Sequence, residues 1–385
     1  MSFAGSRRPE VVRLREEIRA FARELPATAP RLAARIASRH PLGKADTIAW
    51  MKLLQTRGWA TAHWPAEHGG LGWNLPQRFA LEDELARLGL PRLVPSGVKY
   101  AGPVLYTFGS DWQKQRFLPA IRATEEWWAQ GYSEPGAGSD LAGLRTRAVR
   151  EGEHYIVNGQ KTWTTHAQHA DWIFCLVRTD PAAQKQKGIS FLLIDLKSPG
   201  VTVRPIASMD GGDHLNEVWF EDVAVPVRNL VGAENQGWTV AKFLLKNERT
   251  AGFFLGQPGH ALERLRARLV HQPALREQVA GFEARFIAFE AAAYRAVEAM
   301  EAGREDGGEA AYIKVRGTEL HQEILQALLD AEGAAGMVLT DSGTQAGDPI
   351  ERDSVSEFLQ FRAGTIYGGT SEIQRNIIAK AVYGL

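Results

Sequence analysis

Apolar residues open the chain at helical spacing. Val11, Leu14, Ile18, Phe21 and Leu25 recur every three or four residues, which lines one helix face. Residues 47–54 (TIAWMKLL) and 79–90 (FALEDELARLGL) repeat the pattern, and it returns over 111–123. Between the first two lies Trp64-Pro65-Ala66-Glu67-His68-Gly69-Gly70-Leu71-Gly72-Trp73, whose proline and three glycines exclude a helix and predict an ordered turn region. Near Gly131 the period shortens toward two. Short runs at 153–157, 172–177, 189–194, 201–206 and 218–220 are separated by Gly, Asn, Asp and Pro, which predicts a β-barrel or sandwich as far as Gly237. Helical stripes then return. Val279, Phe282, Phe286, Phe289, Ala293, Val297 and Met300 form one, and Ile313, Leu320, Ile324, Ala327 and Ala331 a second, which predicts a helical bundle.

Length and composition narrow the classes. At 385 residues the chain exceeds one ordinary core and suits roughly two or three domains. A 44% hydrophobic content excludes disorder as the main state. Equal numbers of basic and acidic residues, 45 each, leave no long-range field to draw in nucleic acid. The single cysteine, Cys175, excludes an intrachain disulfide, and its apolar surroundings predict a buried strand thiol. No apolar run reaches the ~18 residues of a membrane span. No apolar core follows Arg7 and Arg8 as in a signal peptide, so a cytoplasmic protein is expected.

Common cofactor motifs are missing from the sequence. It holds no G-x-G-x-x-G after a strand, no G-x-x-x-x-G-K-[ST], no H-E-x-x-H and no paired cysteines, so a Rossmann dehydrogenase, a P-loop NTPase and a zinc enzyme gain no support. Three other segments could carry chemistry. Tyr132-Ser133-Glu134-Pro135-Gly136-Ala137-Gly138-Ser139-Asp140 offers glycine backbone and serine hydroxyls to a ring edge or a phosphate, although such a turn is more often only a turn. In Asn158-Gly159-Gln160-Lys161-Thr162-Trp163-Thr164-Thr165 the Asn-Gly pair signals a hairpin, and a buried barrel tryptophan is the plainer meaning of Trp163. In Ile366-Tyr367-Gly368-Gly369-Thr370-Ser371-Glu372-Ile373-Gln374, Ser371 and Gln374 have the spacing of a capping box. The helix start behind those glycines would attract an anion such as a pyrophosphate.

In this order the three segments, together with Trp64-Pro65-Ala66-Glu67-His68-Gly69-Gly70 and Gly369 to Arg375, resemble the acyl-CoA dehydrogenase family over residues 10–385. Residues 170–206, with Arg178-Thr179-Asp180-Pro181-Ala182-Ala183, look most like the pimeloyl-CoA dehydrogenase large-subunit group of bacterial members. The resemblance implies an N-terminal α-helical domain (1–127), a central β-barrel (128–236) and a C-terminal four-helix bundle (237–385). It implies FAD as cofactor, between barrel and bundle, with a neighbouring subunit completing the site, and no metal. Carried over residue by residue, Tyr132, Ser133, Gly138, Ser139, Trp163, Thr165, Thr370 and Glu372 would touch FAD, with Trp163 shielding the flavin. Ser139, Arg249 and Gly369 would touch the substrate.

The implied reaction removes the pro-R α-proton of an acyl-CoA with a carboxylate while the β-hydride passes to flavin N5. Hydrogen bonds to the thioester carbonyl, one of them from the FAD ribityl chain, stabilise the enolate-like transition state. Expelling water around the acyl chain raises the base's pKa toward a useful range. Many members carry that base where this chain has Gly368, which cannot accept a proton. Others place it on a C-terminal-domain helix, where this chain has Lys246-Asn247-Glu248-Arg249-Thr250 after the apolar run 240–245, and Glu248 takes the role. Two segments depart from the family: no arginine-phenylalanine-glycine grip is recognisable within 262–280, and the glycine-rich loop 331–336 lacks its glutamine. The implied partners are an acyl-CoA and an electron-transfer flavoprotein, in a homotetramer, homodimer or α2β2 heterotetramer. An acyl-CoA oxidase, a non-catalytic subunit of a heteromeric enzyme, and a flavoprotein acting on a non-CoA substrate stay open as alternatives.

Overall fold

The computed structural model describes residues 8–39, 41–94, 96–249, 252–304, 308–337 and 354–384, without the side chains of 246–249, 253 and 335. Along these residues run α1 (Pro9–Thr28), α2 (Pro30–Ala37), α3 (Lys44–Gln55), α4 (Leu75–Arg87), α5 (Gly102–Phe108) and α6 (Asp111–Arg122). The strands follow: β1 (Trp128–Gly131), β2 (Arg147–Glu151), β3 (His154–Lys161), β4 (Trp172–Arg178), β5 (Ile189–Asp195), β6 (Val201–Ile206) and β7 (Leu215–Pro226). The chain then returns to helix in α7 (Gly237–Arg249), α8 (Phe253–Ala267), α9 (Arg276–Glu301), α10 (Glu309–Glu332), α11 (Ser354–Phe361) and α12 (Ser371–Tyr383). Contacts divide it into two units, residues 1–50, 72–93 and 249–385 in one, 51–71 and 94–248 in the other.

The first unit is helical. All five stripe residues of α1 are buried, as their spacing predicts. Its apolar core joins Phe79 of α4, Leu255 and Leu265 of α8, Phe286 and Phe289 of α9, and Ile313, Ile324 and Leu328 of α10. The α4 helix starts at a reciprocal cap: Asn74 accepts from the Gln77 N–H and the Gln77 side chain accepts from the Asn74 N–H. Its buried Asp83 carboxylate accepts from Arg87 at 2.8 Å, Arg15 at 2.5 Å and the Tyr294 hydroxyl at 2.8 Å. One satisfied anion therefore ties α1, α4 and α9 together. A second buried group lies near α11. His321 is 3% exposed with its ring 4.1 Å from Phe361. Burial drives that imidazole's pKa down to about 4. Burial opposes the charge of Glu357, but its 2.6 Å pair with Arg264 wins and holds its pKa at about 2.

The second unit carries a seven-stranded sheet. Its order is β1-β4-β2-β3-β7-β6, with β5 on β4. The β1–β4 and β2–β4 pairings are parallel and the rest antiparallel. Tyr155, Val157, Cys175, Leu192, Val218 and Val223 fill its core. Cys175 is fully buried, and burial raises its thiol to about 12, so it packs as an inert strand residue.

The Asn-Gly signal for a hairpin is overturned. Asn158 and Gly159 lie inside β3, and the β2–β3 turn falls at Gly152, with φ +59°. Packing fixes the glycine instead, since a Cβ on Gly159 would stand 2.7 Å from the Thr146 Cα. Beside it β7 carries one residue more than β3. Between Val157↔Val223 and Gly159↔Phe220, both Glu221 and Asp222 face Asn158. Asp222 takes φ +51°, and the Asn158 side chain bonds both its N–H and its carboxylate.

Candidate functional site

The turn at 132–140 is held from inside the sheet. Lys161, at the end of β3, is fully buried, and its Nζ donates to Glu134 Oε1 at 2.8 Å and to the Tyr132 carbonyl at 3.2 Å. The same carboxylate accepts the Arg145 N–H at 2.7 Å and the Thr146 N–H at 2.9 Å. Between them, the Ser133 carbonyl accepts the Thr162 N–H at 2.9 Å. Glu134 and Ala137 bond each other through their backbones, which closes the turn. Burial works against both charges. It leaves the Lys161 ammonium below its usual pKa, whereas Lys161 and the backbone donors hold the Glu134 carboxyl below the ordinary carboxylate range. The outward side of the turn is open: a Cβ at Gly136 or Gly138 would meet nothing within 4 Å, and Ser139 is exposed.

Two residues past Lys161, the chain leaves β3 in an unusual conformation. Trp163 has φ +59° and is 59% exposed, a strained backbone and a wet surface for the bulkiest side chain. It is not the buried barrel tryptophan that composition alone favours. The residues around it are fixed. The Thr164 N–H donates to the Asn216 carbonyl at 2.9 Å, and Asn216 Nδ2 returns a bond to the Thr164 carbonyl at 3.0 Å. His166, also left-handed at φ +57°, bonds the His214 carbonyl at 2.7 Å. Thr164 Oγ1 is buried without a hydrogen-bond partner among the described residues, and Thr165, between Thr164 and His166, is half-buried.

Next to the turn is a cleft of about 350 Å³ whose lining includes Gly136, Asp140, Arg145, Arg178 and Lys185. The Arg178 guanidinium is spent on three carbonyls, those of Lys185, Ala142 and Leu144. Lys185 pairs with Asp140 at 2.6 Å in the open. Arg145, and Lys185 once it parts from Asp140, are therefore cations that the cleft can offer an anion.

In the helical unit, Gly368 and Gly369 take φ +63° and +86°, a left-handed pair leading into α12. Buried Lys314 of α10 donates to the Gly369 carbonyl at 2.8 Å, and buried Gln374 donates to the Gly368 carbonyl at 2.7 Å. The capping-box reading of Ser371 is corrected here. Thr370 is the cap, its hydroxyl accepting the Ile373 N–H at 3.2 Å, while Ser371 is the first helical residue. The left-handed glycines end the turn one residue earlier than the spacing suggested. Among the described residues, Ser371 Oγ and Gln374 Oε1 are buried without a hydrogen-bond partner. The Glu372 carboxylate sits over its own backbone N–H, which lowers its pKa.

The structure thus gathers the residues singled out from sequence into two sets. Tyr132, Ser133, Gly138, Ser139, Trp163 and Thr165 belong to the sheet unit, and Gly369, Thr370 and Glu372 to the helical one. Tyr132 is 5% exposed, its ring edge-on to Phe174 and Phe191. Glu248 and Arg249 fall in the last turn of α7, behind buried Val240, Ala241 and Leu244, and their side chains lie outside the described residues. Sequence reasoning missed the buried partners Glu134, Lys161 and Lys314. Strand parity could have found one of them, because Tyr155, Val157 and Lys161 share the inward face of β3. Among the described residues no cluster of His, Cys, Asp or Glu could hold a metal ion.

Comparison with known proteins covers nearly the whole chain. Three family models match in order: "Acyl-CoA dehydrogenase, N-terminal domain" at 8–125, "middle domain" at 129–223 and "C-terminal domain" at 235–383. The acyl-CoA dehydrogenase IpdE1 of Mycobacterium tuberculosis is 37% identical over 345 residues, 88% of this chain and 87% of that one. Among solved structures, the Tcur3481-Tcur3483 steroid ACAD matches with a TM-score of 0.86 at 30% identity over 98% of both chains. The ChsE4-ChsE5 complex from Mycobacterium tuberculosis matches with a TM-score of 0.84, again at 30% identity over 98% of both.

Proposed function

The chain belongs to the acyl-CoA dehydrogenase family, and from that premise we propose that it desaturates the Cα–Cβ bond of a CoA thioester using Glu248 as the base. Membership makes it an oxidoreductase with FAD as its cofactor. Bound FAD supplies the hydride acceptor. The residues present fit it. In the sheet unit open space lies beside Gly136 and Gly138; in the helical unit, taken by itself, Ser371 and Gln374 each carry a buried polar atom without a partner among the described residues.

Trp163 carries the reading. A strained, exposed indole next to an open glycine-serine turn is what a flat ring needs to lean on, and plain packing gives no reason for it. In that unit we assign Tyr132, Ser133, Gly138, Ser139, Trp163 and Thr165 to FAD. Thr370 and Glu372 keep the assignment to FAD that resemblance gives them, and Ser139, Arg249 and Gly369 theirs to substrate. Arg145 and Lys185 suit the phosphates of a CoA nucleotide entering the cleft. Glu248 takes the α-proton.

For substrate we propose a bulky, steroid-like acyl group, because the chain is similar along its length to a steroid ACAD. A dicarboxyl chain such as pimeloyl is the competing arm. We also propose that the enzyme works as an oligomer, with a second chain of the same family as partner. The two matching assemblies each carry two names. Electrons then pass to an electron-transfer flavoprotein in the cytoplasm. No helix among the described residues is long and apolar enough to cross a membrane.

The test is anaerobic bleaching of the yellow protein, with and without a co-expressed partner, against straight-chain, branched, dicarboxyl and steroid-like CoA thioesters. Glu248→Gln should keep FAD bound and lose about 10²–10⁴-fold in flavin reduction rate. Reduction at the wild-type rate would place the base elsewhere. Stoichiometric peroxide in air would instead make the protein an oxidase.

A further inference from the structure

A lysine and a glutamate buried together are costly, because desolvating two ions offsets most of their attraction. An apolar pair of similar volume would pack the sheet at least as well. Lys161 and Glu134, 0% and 8% exposed, therefore ask for a role other than holding the core.

Their hydrogen bonds indicate one. Three consecutive residues are pinned from inside: the Tyr132 carbonyl by Lys161, the Ser133 carbonyl by Thr162, and the Glu134 carboxylate by Lys161, Arg145 and Thr146. The pins all lie on one side, and the groups left facing open space are those of Gly136, Gly138 and Ser139. Lys161 also ends the strand that delivers Trp163 two residues later. One cation is thus fastened to both the turn and the strand end carrying the exposed indole.

We propose that the Lys161–Glu134 pair is a positioning device that fixes the distance and register between the 132–140 turn and Trp163, so that a flavin fits between them. This rests on reading the turn and the indole as the cofactor's seat. Neither residue need touch the cofactor.

Removing one partner alone strands a buried charge, so Lys161→Met by itself tests folding more than positioning. The informative protein carries Glu134→Gln and Lys161→Met together. Its glutamine carbonyl still accepts a backbone N–H, and the methionine fills the lysine's volume. Purified apoprotein of each form is titrated with FAD, following the flavin spectrum and fluorescence, alongside thermal melting and amide exchange over residues 132–140. The double substitution leaves one backbone N–H and the Tyr132 carbonyl without their partners, so we expect the protein to stay folded and to melt a few degrees below wild type. Its FAD dissociation constant should rise at least about tenfold. Its flavin spectrum should shift, and exchange in the turn should speed up. Wild-type affinity with a wild-type spectrum would overturn the proposal. Wild-type protein that takes up no FAD would overturn it by a different route, removing the cofactor seat itself.

Discussion

Trp163 stores strain in a place where function can use it. A left-handed backbone costs a bulky residue about 1 kcal/mol, which glycine would not feel, although glycine loses a similar amount to chain entropy. Trp163→Gly should therefore leave thermal stability within about 1 kcal/mol of wild type. It should raise the FAD dissociation constant about tenfold, or 1.4 kcal/mol, read by flavin fluorescence. Gly159→Ala should do the reverse. Its methyl would press on Thr146, whose N–H serves Glu134, and such overpacking costs about 1–3 kcal/mol in a urea melt. Individual residues were legible in the sequence where periodicity marked them, as with the α1 stripe or Cys175. Lys161 was not given a role, because a lysine reads as solvated until its partner, Glu134, 27 positions away, is placed beside it.

Among elements, the start of α12 separates two readings. The spacing of Ser371 and Gln374 suggested a box capped by serine, whereas the hydroxyl that bonds the helix is that of Thr370. Thr370→Ala should cost about 1 kcal/mol of stability. Ser371→Ala removes a buried oxygen that has no partner among the described residues, so it should be neutral or mildly stabilising in the same urea melt. Finding the larger loss at Ser371 would restore the first reading. Long stripes made α1, α9 and α10 visible from sequence alone. Strands β1 and β2 stayed hidden. Arg147–Glu151 buries only Ala148, so nothing in its own alternation marks it, and its pairing with β3 makes it a strand.

For the whole molecule, the order of helices, strands and helices was readable, but the grouping into units was not. Residues 72–93 join 249–385 through contacts such as Asp83 with Tyr294, 211 positions apart, which no local pattern encodes. Stability should follow the buried His321. Its ring stays neutral down to about pH 4, whereas an unfolded chain protonates it near pH 6.5. Above about pH 6.5 the group adds nothing, and from there to about pH 4 stability should fall by up to ~3 kcal/mol. Glu357, with its pKa at about 2, keeps its charge across that window and does not offset the loss. Urea midpoints between pH 7 and 4.5 check this, and His321→Gln should flatten the curve. The bulge of β7 also has a geometric effect. Its buried positions run Asn216, Val218 and Phe220, then Val223 and Val225, so the phase slips at the doubled residues Glu221 and Asp222. Excising Asp222 would make the alternation continuous and leave each inward side chain inward. The spare residue thus adds no backbone rung to the ladder, its bonds going to the Asn158 side chain. It steers, and a shortened variant should keep its ladder while aiming the end of β3, with its lysine and its indole, along a different line.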